Sequence, residues 1–333
     1  MGLWRYRKRR RVRFKYIISV IILLILASWL IDQTWPEGGR ISISGDVTKI
    51  RLYDHLAGKV TELGLEEYVV GVVAAEMPAS FGLEALKAQA VAARTYAVKR
   101  LQVPDPRVKE INQNADISSD HNINQAWISD IEMQKRWGKW NYATNKKKII
   151  QAVQETAGKV AIYGGQLIDP AYHASCGGNG TENSGDVWKY EVPYLRRVQC
   201  NNHPSANHEA VSAMSIQDFS AKMDVAVKAI PASKLFGYSK ALQVKEKTSS
   251  GRLKLLTFGG KTFTGSELRS KVGLKSTLVE WKIEGSIIKL MTRGYGHGVG
   301  MCQHGAGALA GEGRTYEQIL KHYYQGTSLA NLK

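Results

Sequence analysis

The sequence predicts an α+β protein in which an N-terminal single transmembrane helix precedes one extracytoplasmic mixed domain with a smaller inserted α/β subdomain. A basic N-terminus is followed by an apolar run without charges. Further along, helical stretches give way to short helices and β-branched strand patterns that alternate, with no internal repeat. Apolar residues make up 44% and charged residues 23% of the chain, as is typical of a globular protein and not of a disordered or polytopic one.

The N-terminus predicts the membrane topology. Residues 1–15 form a basic tail with eight Lys or Arg residues and no acid. Residues 16–31 carry no charge, and a helix of that length covers roughly 24 Å at about 1.5 Å per residue. We therefore predict a transmembrane anchor over 16–32 and a linker over 33–44. The positive-inside rule places the tail in the cytoplasm and the domain outside. A cleaved signal peptide is the alternative, although no A-x-A pattern is present.

The net charge of +17 first suggests a nucleic-acid partner. The tail accounts for 8 of these charges, and its position beside the apolar run fits anionic lipid. A basic surface outside the cytoplasm is better suited to an anionic wall polymer than to nucleic acid. We therefore expect no nucleic-acid binding.

The elements of the domain, residues 45–333, follow from local patterns. Apolar residues at helical spacing predict a helix over Leu65–Glu76, and Met77-Pro78 ends it because a proline restricts the residue before it. Other patterns predict, in chain order, a helix near 82–101, a loop over 112–125, a helix over 145–157, a hairpin around Gly164-Gly165, a strand over 253–258 and a helix over 316–324. The inserted subdomain is expected at about 205–290.

Glu76 is the most informative acid. It lies at the C-terminal end of an apolar helix, where both the surroundings and the helix dipole disfavour an ionised carboxylate. Both effects raise a carboxyl pKa, as a general acid requires. A solvated Glu beside a proline break is the alternative. Arg94, in an alanine-rich stretch, is predicted to reach towards Glu76 or a substrate oxygen, with an exposed Arg as the alternative.

Two glycine-rich segments are candidate binding loops. The segment from Tyr172 to Trp188 is dense in hydrogen-bond donors and glycines, which let the backbone approach a ligand. The segment from Arg293 to Gly307 interleaves glycines with His297 and Gln303, and it matches neither a Walker A loop nor a dinucleotide fingerprint. Tight turns around a core histidine are the alternative for this second segment, in which Cys302 is predicted to be a small buried residue.

Four residues are candidate metal ligands. His173 and Cys176 mirror the spacing of Cys200 and His203, and two Cys with two His form a legitimate zinc set. A Cys176–Cys200 disulfide is an alternative outside the cytoplasm, as are residues with no shared role.

Together these segments resemble the stage II sporulation protein D family (SpoIID, also called the SpoIID/LytB family). The matching segments are Glu67–Pro78, Glu84–Tyr96, Tyr172–Trp188, Pro193–Leu195 and Gly296–Ala306. The resemblance implies a lytic transglycosylase that cleaves the bond between N-acetylmuramic acid and N-acetylglucosamine in peptidoglycan glycan strands without stem peptides. It leaves a 1,6-anhydro end and requires no cofactor.

The resemblance also implies roles for residues. The catalytic Glu of the family matches Glu76, which protonates the glycosidic oxygen and then takes a proton from the muramyl C6 hydroxyl. The substrate-binding candidates are Arg94, Tyr172, Ser175, Asp186, Trp188, His297 and Gln303. Some family members bind zinc through Cys and His near the cleft, but the loop over 112–125 lacks the Cys often found there.

The resemblance implies partners at the septal and engulfing membrane during sporulation. They are a SpoIIP-like amidase/endopeptidase that strips stem peptides and a SpoIIM-like polytopic membrane protein. Two other functions stay open, a non-catalytic wall-binding module that enhances an amidase and an anchored zinc hydrolase.

Overall fold

The computed structural model describes residues 40–41, 49–188, 190–200, 203, 209–226 and 242–332. In this part of the chain, helices and short strands in several small sheets form a mixed fold, which confirms the predicted α+β class. None of its helices is long and apolar enough to cross a bilayer. The predicted tail and the anchor over 16–32 lie outside the described residues, as does most of the linker over 33–44.

Helices supply most of the framework around the candidate site. In chain order they are α1 (Leu65–Glu76), α2 (Leu83–Gln102), α3 (Pro106–Ile111), α4 (Asp130–Gln154), α5 (Ser184–Trp188), α6 (Ile216–Lys222), α7 (Gly265–Val272), α8 (Gln303–Gly311) and α9 (Tyr316–Tyr323). The alanine-rich helix α2 is central, because its small side chains let α1, α4, α8 and α9 pack against it.

The strands form small sheets around these helices. They are β1 (Arg40–Ile41), β2 (Lys49–Asp54), β3 (Lys59–Gly64), β4 (Ile117–Ser118), β5 (Lys159–Tyr163), β6 (Gln166–Leu167), β7 (Tyr172–His173), β8 (Glu209–Ser215), β9 (Leu242–Lys247), β10 (Leu253–Phe258), β11 (Lys261–Thr264), β12 (Val279–Glu284), β13 (Ile287–Arg293), β14 (Met301–Cys302) and β15 (Ser328–Leu332). The sheet orders are β1-β15-β5-β6, β11-β10-β9, β12-β13-β8, β14-β7 and β3-β2-β4.

The described residues form two hydrophobic clusters. The larger one surrounds α2 and includes both ends of the described chain, from Ile50 to Ala330. The smaller one is built from residues between Phe219 and Leu290. This second cluster falls within the segment expected to form the inserted subdomain, whose boundaries of about 205–290 stay a prediction.

A buried ion pair connects the smaller cluster to the first glycine-rich segment. The Arg252 guanidinium lies 3.5 Å from the Glu182 carboxylate, and both side chains are almost fully buried. Arg252 also donates to the Cys176 carbonyl at 2.9 Å and to Ser276 Oγ at 2.8 Å. Because two buried charges are stable only when paired and hydrogen-bonded, this contact fixes the path of the loop after β7.

The local predictions differ in accuracy. The bounds of α1 are those predicted from its apolar spacing and Pro78, and β10 also has its predicted range. The helix predicted over 145–157 is wrong at its start, because α4 begins at Asp130 with a capping box formed by Ser129 and Glu132. Gly138, at φ 68°, interrupts α4.

Candidate active site

Glu76 is the last residue of α1. The helix ends there because Met77, before Pro78, adopts an extended conformation with ψ 143°. No basic residue lies in its last turn, but Arg136 on α4 donates to the carbonyls of Ala74 and Ala75 at 2.7 and 3.0 Å. A cation from another helix therefore caps the end that carries Glu76.

Three groups from distant parts of the chain hold the Glu76 carboxyl. The Ala126 N–H donates to Oε1 at 3.0 Å, and the Tyr172 hydroxyl lies 3.4 Å from the same oxygen. The Gln303 side-chain amide donates to Oε2 at 3.3 Å. Both carboxyl oxygens therefore accept a hydrogen bond, and the side chain has a defined orientation.

A second set of hydrogen bonds fixes these donors. The Tyr172 hydroxyl donates to Gln125 Oε1 at 2.8 Å, and the Gln125 amide reaches the Tyr68 hydroxyl at 3.2 Å. Gln303 also donates to Gln89 Oε1 at 3.3 Å. The network runs through the core between α1 and α2, where its members lose little freedom on binding a ligand.

The surroundings raise the pKa of Glu76 above its ordinary value. Burial is the largest cause, because a carboxylate loses hydration there. The hydrogen bonds from Ala126, Gln303 and Tyr172, and the nearby His121, act in the opposite direction. The net direction agrees with the sequence-based expectation and favours the protonated acid.

Two cavities meet at Glu76. One has a volume of about 650 Å³ and extends along the start of α4, past Trp137 and Asn141. The other has a volume of about 530 Å³ and extends past Tyr172 and His297. The residues that line both are Ala75, Glu76, Arg136, Ala174, Tyr295 and Gln303. Glu76 therefore lies near the middle of a groove, and it is the sole Asp or Glu among the described residues that line it.

The second glycine-rich segment brings Gln303 to the groove. Strand β14 pairs in parallel with β7, so that Met301 faces Tyr172 and Cys302 faces His173. Gly300 has φ 72°, and a Cβ there would lie 2.0 Å from the Ala171 carbonyl oxygen. A glycine is required at this close approach, which places Gln303 at the start of α8 beside Glu76.

Of the predicted substrate-binding residues, Tyr172 and Gln303 lie beside Glu76, whereas Arg94 does not. Arg94 is fully buried and donates to both carboxylate oxygens of Glu66, at 2.8 and 2.5 Å. It also donates to the carbonyls of Val153 and Lys159. The physical reason is that its α2 position faces the start of α1 and not its end. The geometry gives Arg94 a structural role.

The remaining candidates lie further from Glu76. His297 lines the second cavity, and burial with the nearby Arg269 and Arg252 lowers its pKa to about 4. The ring centroids of Trp188 and His297 are 5.2 Å apart, but Trp188 lines a separate cavity. Asp186 lines that same cavity, where its carboxylate forms an ion pair with Lys254 Nζ at 3.0 Å. Ser175 is fully buried. Ser175, Asp186 and Trp188 therefore do not reach the groove around Glu76.

The structure changes which residues form the candidate metal site. Cys176, Cys200 and His203 lie together as expected, and Cys302 joins them in place of His173. His173 instead lines the second cavity, with Nδ1 at 3.1 Å from the Val299 carbonyl. Cys302 is buried as predicted, but it was not among the predicted metal ligands. All three cysteines are free, so the alternative Cys176–Cys200 disulfide is not formed.

Comparison with known proteins shows which family this chain belongs to. A family model described as "Stage II sporulation protein" (SpoIID) matches residues 53–163. Stage II sporulation protein D of Bacillus subtilis (strain 168) is 38% identical over 293 residues, which cover 88% of this chain and 82% of that protein. The chain belongs to the stage II sporulation protein D family. The resemblance carried by the sequence motifs is thereby confirmed.

Other relatives of this SpoIID-family chain support the same placement. Stage II sporulation protein D of Bacillus amyloliquefaciens is 35% identical over 295 residues, 88% of this chain and 82% of that protein. An amidase enhancer of Bacillus subtilis (strain 168) is 32% identical over 310 residues, which cover 78% of this chain and 40% of the enhancer. The match with the family model includes Glu76 and Arg136, whereas Tyr172 and Gln303 lie outside it.

Some residues of the groove carry weak sequence signals. Gln125 precedes Ala126 and Trp127 in a Gln-x-aromatic pattern, which resembles the same region of the family but is too short to indicate a site by itself. Arg136 has no such signal, because Lys135-Arg136-Trp137 reads as an ordinary basic stretch. Its role depends on where α4 crosses the end of α1, which no local pattern encodes.

Proposed function

We propose that this protein is a membrane-anchored lytic transglycosylase that cleaves the N-acetylmuramic acid–N-acetylglucosamine bond of peptidoglycan strands without stem peptides, leaving 1,6-anhydro ends. The observation that carries the proposal is that Glu76 is the sole carboxylic acid among the described residues that line the groove. Hydrolytic glycosidases use two carboxyl groups about 5–9.5 Å apart. Attack by the sugar's own hydroxyl needs one carboxyl that gives a proton and takes another.

In the first step, protonated Glu76 donates its proton to the glycosidic oxygen as the bond from that oxygen to the muramyl C1 breaks. The leaving N-acetylglucosamine carries the proton away as its hydroxyl. In the second step, the muramyl C6 oxygen bonds to C1, and the Glu76 carboxylate accepts the C6 hydroxyl proton. Burial favours the acid at the start of this cycle, and the donors Ala126 and Gln303 stabilise the carboxylate between the steps.

The shape and charge of the groove support a glycan substrate. Cavities on both sides of Glu76 provide room for sugars on both sides of the bond that breaks. Tyr295 is 44% exposed and lines both cavities, so an aromatic side chain forms part of the wall that a sugar would contact. Arg136 also lines both cavities and offers a cation to the lactyl carboxylate that peptide removal leaves on the muramyl sugar.

The cellular setting is part of the proposal. The basic tail and apolar run support a single-pass protein with a cytoplasmic N-terminus and an extracytoplasmic catalytic domain. Family membership supports a role in wall remodelling at the sporulation septum and engulfing membrane. An amidase/endopeptidase that strips stem peptides would supply the substrate, and a polytopic membrane protein would act with it. The match to an amidase enhancer supports a link with an amidase.

A second candidate function rests on that same match. A non-catalytic module that binds wall glycan and stimulates an amidase would use the groove for binding alone. The two functions differ in what they require of Glu76. Glycan binding alone does not need a carboxyl group whose pKa is raised and whose two oxygens both accept hydrogen bonds.

Mass spectrometry of products from peptide-free glycan strands tests the proposal. The full chain is expected to release anhydro ends, and Glu76→Gln to lower the rate by ~10²–10⁴-fold or more, as for other general acids. Glu67→Gln, on the exposed face of α1, is the matched control and keeps the rate. Reducing ends in place of anhydro ends would refute the lytic reaction. No cleavage by either protein, with equal stimulation of an amidase by both, would favour the enhancer.

A further inference from the structure

The most concentrated chemistry outside the groove is a buried cluster formed by Cys176, Cys200, His203 and Cys302, here called the Cys₃His cluster. Its four ligand atoms all lie within 4.8 Å of one another, and all four residues are buried. His203 Nε2 is 3.2 Å from Cys176 Sγ and 3.4 Å from Cys302 Sγ. We propose that the Cys₃His cluster binds one structural Zn²⁺ ion.

The donor set fits zinc. Three thiolates with one imidazole form a common tetrahedral zinc site, and four protein ligands leave no open position for substrate. With Zn–S bonds of about 2.3 Å, the edges of such a tetrahedron measure ~3.8 Å. The cluster is already close to this size, so small side-chain movements of the four residues complete the site.

The surroundings of Cys302 are those of a metal-bound thiolate. The Cys176 N–H and the Gly305 N–H both donate to Cys302 Sγ, at 3.3 and 3.4 Å. Cys302 is also the N-cap residue of α8, where the helix dipole favours a negative charge. Such N–H···S contacts are the outer contacts that orient ligands at metal sites.

Two further observations point to a ligand. A cavity of about 320 Å³ reaches Cys200 and Gly305 and provides a path for a metal ion. A Cβ at Gly305 would lie 2.2 Å from Cys200 Sγ, so α8 approaches the cluster only because this residue is glycine.

The proposed ion would connect three segments that meet beside the groove. Cys176 follows β7, which carries Tyr172, while Cys302 directly precedes Gln303. Cys200 and His203 lie in the segment after Leu195. The ion would therefore hold β7, which carries Tyr172, and the start of α8, which carries Gln303, without contacting substrate. This role is independent of the proposed reaction, because metal content is measured without any glycan.

Metal analysis of the full chain, purified without chelator, tests the site. About one zinc per chain is expected, and Cys200→Ala and His203→Ala are each expected to lose most of it. His55→Ala, which removes an exposed histidine outside the cluster, is the matched control and keeps its zinc. Cobalt in place of zinc should give the visible absorption of a tetrahedral thiolate site. Chelation should lower the Tm of the wild type and of His55→Ala alike.

Either of two results overturns the proposal, even if the cluster variants fail to fold. One is a folded wild-type chain that holds no zinc and takes up neither zinc nor cobalt while its three thiols titrate as free. The other is a Cys176–Cys200 disulfide in the purified chain, shown by peptide mass spectrometry.

Discussion

The side-chain amide of Gln303 lies 3.3 Å from a carboxyl oxygen of Glu76, although 227 positions separate the two residues in the chain. The first glycine-rich segment contributes Tyr172 to the same carboxyl group, and the loop before α4 contributes the Ala126 N–H. Three distant segments thus hold one acid. The properties of Glu76 therefore depend on the whole fold and not on α1 alone.

The stability of the protein should respond to Glu76 in a pH-dependent way. Burial raises the folded-state pKa of Glu76 above its ordinary value of 4.5, so its ionisation costs stability as the pH rises through that pKa. Glu76→Gln removes this cost. We expect the variant to gain roughly 2–4 °C in Tm at pH 7 for each ~1 kcal/mol of cost removed.

Differential scanning calorimetry of both proteins between pH 4 and pH 8 measures this effect. The gain should shrink towards zero as the pH falls below the ordinary pKa of 4.5, where Glu76 becomes protonated in both the folded and the unfolded states. Glu62→Gln, at an exposed position on β3, should show no such trend. A stability difference between the two proteins that stays constant with pH, or that changes in favour of the wild type as the pH rises, would contradict the raised pKa.

The sequence predicted the end of α1 well and its surroundings poorly. Pro78 and the apolar spacing are local signals that predicted the helix bounds, and the apolar context also indicated the direction in which the pKa of Glu76 shifts. The glycine-rich segments marked Tyr172 and Gln303 as parts of candidate binding loops, and the resemblance made them substrate-binding candidates. No local pattern predicted their contacts with Glu76, which span 96 and 227 positions. Helix ends are encoded by neighbouring residues, but contacts between loops depend on the packing of α2 and its partners.

Arg94 and Cys302 show the limits of local sequence in opposite ways. The alanine-rich context of Arg94 suggested a functional cation, but its partner Glu66 lies 28 positions earlier, where no spacing rule pointed to it. Cys302 was predicted only to be a small buried residue. Its neighbour Cys176 is 126 positions away, so the Cys₃His cluster could not be assembled from short spacings.

Tyr172→Phe should move the pH profile of glycan cleavage. The Tyr172 hydroxyl stabilises the Glu76 carboxylate and so lowers its pKa, against the larger effect of burial. Without the hydroxyl, the pKa of Glu76 rises further, and the alkaline limb of kcat against pH should move upwards. The loss of one hydrogen bond, typically about 0.5–1.5 kcal/mol, predicts a change in kcat/KM of roughly 2–10-fold.

The matched control for Tyr172→Phe is Tyr324→Phe. Tyr324 is another buried tyrosine whose hydroxyl donates to the Ala171 carbonyl, at 2.9 Å, and makes no hydrogen bond to Glu76. Its loss should lower the Tm without moving the alkaline limb. An alkaline limb that moves downwards in Tyr172→Phe, or moves equally in both variants, would show that Tyr172 does not act on Glu76.

Gly71→Ala should disturb the site from within α1. A Cβ on Gly71 would lie 2.0 Å from the Trp127 indole nitrogen, and Trp127 directly follows Ala126, whose N–H holds Glu76. Displacing the indole should cost about 1–3 kcal/mol and should also lower kcat. Thermal unfolding and initial cleavage rates measure the two effects.

Gly311→Ala is the control for this steric argument. Gly311 is the last residue of α8, and a Cβ there meets nothing within 4 Å. Because alanine favours a helix over glycine, this variant should be as stable as the wild type or slightly more stable. Equal stability and activity of Gly71→Ala and the wild type would mean that Trp127 does not position Ala126.

Glu66→Gln tests whether Arg94 has a structural and not a catalytic role. Arg94 is fully buried and forms a two-pronged contact with the Glu66 carboxylate, so removing that charge leaves a buried cation without its anion. Because the Glu66 side chain is 40% exposed, water offsets part of the loss, and we expect a cost of about 1–3 kcal/mol. Glu62→Gln breaks an exposed pair with Lys49 instead and should cost less than about 1 kcal/mol. Urea unfolding gives both values.

The KM and the pH profile of folded Glu66→Gln should match those of the wild type, since neither Arg94 nor Glu66 lines the groove. If the pH profile of Glu66→Gln shifted while its stability stayed unchanged, Arg94 would have a functional role in the active site.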